Sequence, residues 1–84
     1  MASVEKLNRN QVILMRELLK LNRETTRKEI LDNTHLSPLA LHLAIQPLKG
    51  FFINAQKDGR RELLNLTLAG VMIIKAFNLA NNEN

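Results

Sequence analysis

The sequence predicts one mostly α-helical domain, residues 1–84, with a small β-hairpin and the element order α-α-α-β-β-α. Three observations predict this fold class. Three helix-start signals precede apolar segments in the first half of the chain. An Asp-Gly pair then lies between two short apolar runs, which is the strongest short-range signal of a hairpin. A last apolar segment of helical length follows. At 84 residues, the chain has the length of one small domain.

The first two helices are predicted from capping residues. Asn8 stands three residues before a glutamine and precedes "VILMRELL", so its side chain can cap a helix from about 8 to 22. Thr26 stands three residues before Glu29, and this second capping box predicts a short helix from about 26 to 33.

The third helix has the clearest start. Ser37 can cap it, and Pro38 suits the first helical position, where its missing N–H leaves no hydrogen bond unmade. We expect this helix from about 38 to 48, with Pro47 distorting its end and Gly50 stopping it.

The second half changes period. Short apolar runs on both sides of Asp58 and Gly59 predict a hairpin over about 51–66. Thr67 then restarts a helix, which we expect over about 67–80.

Two short helices joined by a tight turn, at about 26–49, and followed by a hairpin are typical of a winged helix-turn-helix. Such a domain lays its second short helix in a DNA major groove and can place the hairpin, or wing, beside the minor groove. A net charge of +4 indicates an anionic partner. Two alternatives remain open: the charge only keeps the surface solvated, or the charged hairpin tip only prevents pairing with another sheet.

Three motifs resemble the DNA-binding core of MarR-type transcriptional regulators. "LNRNQVILMREL" is similar to the opening helix of that family, and "TRKEILDNTHLSP" to its Thr-x-x-Glu-Leu helix with the following Leu-Ser-Pro. "DGRRELLNLTLAG" resembles its wing, in which Asp58 and Arg60 precede an apolar strand ending at Leu66, followed by Thr67 and Gly70.

The resemblance covers about residues 7–71 and implies roles for the wing. It implies that Arg60 enters the minor groove and that Asp58 orients and partly neutralises Arg60. Lys57 and Arg61 would then add phosphate contacts. The chain departs from the family at Pro47 and in a shortened segment before the hairpin. It also has an almost uncharged recognition helix.

The recognition helix carries few groups that read bases. Gln46 could pair with adenine, and His42 could donate to a guanine edge or a phosphate, so we expect backbone and shape readout to dominate. Its predicted inward residues are Leu41, Ala44, Ile45 and Leu48. The full set of predicted DNA-contacting residues is Arg27, Lys28, Ser37, Leu39, Ala40, His42, Leu43, Gln46, Lys49, Lys57, Asp58, Arg60 and Arg61. In the alternative, Leu39 and Leu43 form an apolar patch for a protein partner, and the domain is an adaptor.

The last helix is apolar on nearly every side, which predicts burial against a second copy in a homodimer. We expect Leu68, Val71, Met72 and Leu79 to cover the wing and the first helix. The predicted dimer interface comprises Val12, Met15, Leu19, Ile73, Ile74, Phe77 and Ala80. The alternative is a monomer whose core absorbs these residues.

Several classes of function find no support in the sequence. The chain has no cysteine, its two histidines stand apart from any carboxylate cluster, and no motif of a catalytic site is present. We therefore expect no metal, no cofactor and no enzymatic activity. No apolar segment is long enough to span a membrane, so we expect a cytoplasmic protein. Together these observations predict a double-stranded-DNA-binding regulator, most simply a repressor that blocks its site.

Overall fold

A computed structural model describes residues 7–81, so the first six and last three residues of the predicted domain lie outside it. The described chain is mostly helical with a small antiparallel sheet, as the sequence predicts. Its helices are α1 (Arg9–Leu21), α2 (Arg27–Asn33), α3 (Pro38–Ile45) and α4 (Leu68–Asn81). Its strands are β1 (Thr25–Thr26), β2 (Ile53–Asp58) and β3 (Arg61–Leu66). Within residues 7–81, no helix combines the length and the apolar character that crossing a membrane requires.

The predicted caps start the first three helices. Asn8 Oδ1 accepts from the Gln11 backbone N–H at 2.8 Å, and Gln11 Oε1 accepts from the Asn8 N–H at 3.0 Å, which completes a capping box. The hydroxyls of Thr26 and Ser37 cap α2 and α3 by accepting from the backbone N–H groups of Glu29 and Ala40. The second predicted capping box is only half formed, because the Glu29 carboxylate binds other side chains.

The third helix ends earlier than predicted. Its α-helical part stops at Ile45, and Gln46–Leu48 form a 3₁₀ turn. Pro47 accounts for the change, because its nitrogen has no hydrogen to continue the helical ladder. Gly50 then takes a φ of +82°, which a glycine adopts without strain, and the chain turns into β2.

The hairpin turns one residue later than the Asp-Gly pair suggests. Asp58 and Arg61 are the last paired residues of β2 and β3, so Gly59 and Arg60 occupy the tip. A positive φ at Gly59 and not at Arg60 matches a type II′ turn, whose twist suits a two-residue hairpin.

A third strand was not expected. Thr25 and Thr26 pair antiparallel with Leu64 and Leu63, so β3 is the central strand of the order β1-β3-β2. Two residues are too short to produce an alternating apolar pattern, so the sequence carries no signal for β1. The strand joins α2 directly to the hairpin.

The helices cover one face of this sheet and form the core with it. The inward residues predicted for the third helix, Leu41, Ala44, Ile45 and Leu48, are all buried. Three residues predicted to form the dimer interface are also part of the core of the chain itself: Val12 is 7% exposed, and Met15 and Ile74 are fully buried. That part of the prediction is wrong. Leu19, Ile73 and Phe77 are partly buried against the same core, and Ala80 is exposed.

The orientation of α4 explains the error. Gly70 packs against the backbone of Phe52 so closely that a Cβ there would lie 2.1 Å from the Phe52 carbonyl oxygen. This contact turns Gly70, and with it Ile74 one turn later, toward the core. Leu68, Met72 and Leu79, which we expected to cover the wing and the first helix, therefore point outward, and α4 leaves an apolar stripe exposed.

Candidate nucleic-acid interface

A basic groove runs between α2, the exposed side of α3 and the hairpin. Its volume is about 530 Å³. Six of the chain's twelve Lys and Arg residues line this groove, whereas Glu62 is the one acidic residue among its described lining residues. The complete lining is Thr26, Arg27, Lys28, His42, Gln46, Lys49, Lys57, Arg60, Arg61 and Glu62. Half of the basic residues thus converge on one concavity, which gives the surface a strongly positive potential.

Glu62 forms ion pairs with two of these basic residues, Arg27 and Lys49, on the floor of the groove. Arg27 Nε donates to Glu62 Oε1 at 2.8 Å, and Lys49 Nζ lies 3.2 Å from Glu62 Oε2. Burial disfavours the charged carboxylate, but the hydrogen bonds and charges of Arg27 and Lys49 outweigh it, so the pKa of Glu62 is lowered. Each cation keeps further N–H groups for another anion, because guanidinium has five and ammonium three.

One side chain of α3 and the side chain of its C-terminal cap enter the groove. His42 and Gln46 lie four positions apart, so they project from the same side of the helix, and both are exposed. The His42 Nδ1 lies 3.3 Å from an Arg27 Nη. This contact links α3 to Arg27, Lys49 and Glu62, which we call the Glu62 cluster. These two polar side chains can present donors and acceptors to a base edge or a phosphate.

The hairpin tip differs from what the resemblance implies. Asp58 pairs with Arg61, whose guanidinium lies 3.4 Å from its carboxylate, and not with Arg60. The type II′ turn explains this, because Asp58 and Arg61 face each other across the last ladder pair while Arg60 occupies the tip. The expectation that Asp58 orients Arg60 is therefore wrong in this structure. Arg60 is exposed at the rim of the groove.

The other exposed side of α3 faces a separate cleft. Leu39 and Leu43 are 66% and 60% exposed, and they border a cleft of about 360 Å³ between α3 and the start of α1. This cleft is lined by Asn8, Asn10, Ser37, Leu39, Ala40, Leu43 and Ala44. Ser37, Leu39, Ala40 and Leu43, all predicted to contact DNA, thus lie away from the basic groove. Asp58 lines neither cavity.

The structure brings together the other eight predicted residues: Arg27, Lys28, His42, Gln46, Lys49, Lys57, Arg60 and Arg61. Sequence reasoning missed Thr26 and Glu62. The sequence carried no signal for Glu62, because a turn on Asp58 and Gly59 would set Lys57 opposite Arg60, and only the observed register sets Lys57 opposite Glu62.

A second ion pair fixes the segment that leads into the groove. Arg23 donates two hydrogen bonds to the Glu29 carboxylate, at 2.9 and 2.5 Å, and the Thr25 hydroxyl donates a third. The Arg23 and Thr25 hydrogen bonds together lower the pKa of Glu29 to about 2, against a smaller opposing effect of desolvation. This network joins the start of β1 to the first turn of α2, and so positions Arg27 on the floor of the groove.

Comparisons with protein-family models, curated proteins and solved structures found no match to the chain. Within residues 7–81, no group of three or more His, Cys, Asp or Glu side chains is arranged to hold a metal ion.

Proposed function

We propose that the chain is a winged helix-turn-helix regulator of the MarR type that binds double-stranded DNA, without enzymatic activity. In this proposal, α2 and α3 form the helix-turn-helix and β2–β3 form the wing. The observation that carries it is the basic groove: half of the Lys and Arg residues line one concavity beside an exposed helix. Such a distribution matches the electrostatic footprint of nucleic-acid binding.

In the proposed complex, α3 faces the major groove and the hairpin reaches the neighbouring minor groove. An α-helix with its side chains is ~10–12 Å across, which fits the ~12 Å width of the major groove. In this arrangement His42 and Gln46 face base edges. Arg27 and Lys49, on the floor of the protein's basic groove, face DNA phosphates. Since only two side chains would contact bases, most of the affinity comes from the DNA backbone.

We further propose that the protein acts as a homodimer and represses transcription by occupying its site. A twofold dimer would present two α3 helices to half-sites about one DNA turn, ~34 Å, apart. It would double the phosphate contacts and steepen the dependence of affinity on salt.

The test is selection from a random duplex pool at low and high salt, followed by sequencing of the bound DNA. We expect salt-sensitive binding and enrichment of an inverted repeat. Lys57→Ala, in the groove, should flatten the salt dependence, whereas Lys20→Ala, the same charge change on the exposed side of α1, should not. Absence of binding at low salt would refute the proposal.

The second candidate function is a protein-binding adaptor. It is favoured by Leu39 and Leu43, two large apolar side chains that are mostly exposed beside the cleft with Asn8 and Asn10. Leu39→Ser with Leu43→Ser distinguishes the two functions. These changes should leave non-specific DNA affinity unchanged if the basic groove binds DNA, and should abolish partner capture if the cleft is the functional surface.

A further inference from the structure

The hydrogen-bond partner of the His42 ring determines which ring nitrogen carries the proton. His42 Nδ1 lies 3.3 Å from an Arg27 Nη. A guanidinium group has N–H donors and no acceptor, so Nδ1 must accept in this contact and carries no hydrogen. The one ring hydrogen of a neutral imidazole is therefore on Nε2. Since His42 is exposed in the basic groove, its Nε2–H is a donor for an acceptor outside the chain.

Arg27 is itself held in place by a residue of the hairpin. Arg27 Nε donates to Glu62 Oε1 at 2.8 Å, and because the guanidinium group is planar and rigid, this bond also sets the direction of its Nη groups. The side chains of Arg27 and Glu62 are only 31% and 15% exposed. Arg27 is the first residue of α2 and Glu62 belongs to β3, so the orientation of the His42 ring is set by two elements other than α3.

We infer that Arg27 is a positioning residue that fixes His42 as a hydrogen-bond donor through Nε2, and that this donor selects guanine in the bound DNA. The inference rests on the proposed function, in which α3 faces the major groove, and it names the base that His42 reads. The contact with Arg27 requires a neutral ring, because a protonated ring would set an N–H group against the N–H group of Arg27.

Guanine is the base whose major-groove edge best fits a single neutral donor. It presents two acceptors, N7 and O6, side by side. Adenine and cytosine present an amino group, which is itself a donor, and thymine presents a methyl group beside its one acceptor. A phosphate is also an acceptor, but it binds charged donors more strongly than neutral ones, and six Lys and Arg residues already line the groove.

Nitrogen NMR of the histidine rings tests the role of Arg27 without DNA. At mildly alkaline pH, where histidine is neutral, we expect the His42 ring almost entirely in the Nε2–H form and the exposed His35 ring as a mixture of both forms. Arg27→Met removes the donor, so the His42 spectrum should become like that of His35. The matched control is Lys49→Met, which removes the other cation bound to Glu62 and should leave the His42 spectrum unchanged.

Fluorescence anisotropy with a duplex recovered from the random pool tests the selection of guanine. The base that His42 contacts is the one whose preference disappears in His42→Ala, and we expect it to be guanine. Replacing this guanine by 7-deazaguanine, which lacks N7, or by 2-aminopurine, which lacks O6, removes one acceptor at a time. At least one replacement should lower the affinity of the wild type about 5-fold, the size of one neutral hydrogen bond. Neither should lower the affinity of His42→Ala.

The same assay separates positioning of His42 from phosphate binding by Arg27. Arg27→Met should weaken binding to every sequence and also lose the preference for guanine, whereas Lys49→Met should weaken binding and keep that preference. Loss of a phosphate contact alone lowers the affinity for all sequences equally. An Arg27→Met variant that keeps the preference for guanine would therefore overturn the positioning role, and so would an unchanged His42 ring spectrum in that variant.

The choice of guanine has its own contrary outcomes. It would be overturned if neither base analogue weakened wild-type binding, or if His42→Ala lost a preference for another base or none at all. Either result in a protein that still binds DNA would leave the proposed function intact. Absence of DNA binding would instead refute the proposed function and the choice of guanine together, while the ring spectra would still decide whether Arg27 positions His42.

Discussion

Under the proposed function, a substitution of Glu62 is the most informative test of DNA binding. It is the one acidic side chain among the described lining residues of the basic groove, and it neutralises part of the charge of Arg27 and Lys49. Glu62→Gln keeps the shape of the side chain and an oxygen that can accept from Arg27 Nε. The substitution therefore adds one positive charge to the floor of the groove and largely preserves its geometry.

The size of the effect follows from counterion release. Two cations that share one carboxylate carry one net positive charge; without the carboxylate charge they carry two. If the extra charge neutralises one more phosphate, the slope of log affinity against log salt becomes steeper by about 0.9. Between roughly 50 and 200 mM salt, the variant should therefore lose about 3-fold more affinity than the wild type. Affinity for random duplex at the lower salt should rise, and the folded state should lose on the order of 1 kcal/mol because two ion pairs are weakened.

Fluorescence anisotropy with a random-sequence duplex over a salt series measures this slope. Glu24→Gln is the control, because it makes the same charge change at an exposed residue that is not among the described lining residues of the groove. An unchanged or flatter slope in Glu62→Gln would refute the role of the Glu62 cluster in binding phosphate. Equal shifts in both variants would show that only the total charge matters.

Three further predictions concern the hairpin tip, the packing of α4 and the entry to α2. Arg60→Ala should weaken DNA binding by roughly 10-fold, and more than Arg61→Ala, because Arg61 already pairs with Asp58; anisotropy titrations of both variants measure this. Gly70→Ala should lower the free energy of unfolding, measured in urea, by about 2 kcal/mol, because the cost of overpacking against the Phe52 carbonyl exceeds the gain in helix propensity. The control is Ala69→Ser at the neighbouring exposed residue, which should change the free energy of unfolding by less than about 0.5 kcal/mol. The lowered pKa of Glu29 stabilises the fold fully above its ordinary value of 4.5, and this stabilisation is lost as the pH falls through about 2. Arg23→Gln should therefore flatten the dependence of melting temperature on pH in that window, and an unchanged dependence would contradict the role of Arg23.

Local signals predicted the elements well because their causes are local. The caps at Asn8, Thr26 and Ser37 act within three residues, and Pro47 acts on its own helix turn. Each of these interactions joins residues of one short segment, so the sequence of that segment is enough to predict it. The sequence did not predict β1, because its two residues form a strand only by pairing with β3.

The candidate site, like the fold, was predicted only in part from the sequence. Eight of the thirteen residues that the sequence predicted to contact DNA line one groove. The sequence did not show that Glu62 lies between Arg27 and Lys49. These residues come from separate elements that meet only after β3 pairs with its neighbours.

The sequence by itself determined where the helices begin, where the hairpin turns to within one residue, and that the chain carries an excess of positive charge. The inward side of α3 was also predicted from the sequence, whereas only the tertiary structure decided which face of α4 is buried. On α4, apolar residues surround the axis, so periodicity could not distinguish the core side from the exposed side. The close approach of Gly70 to the Phe52 carbonyl fixes that choice. It buries Ile74 and leaves Leu68, Met72 and Leu79 on the surface, because a helix can turn only one face toward the sheet.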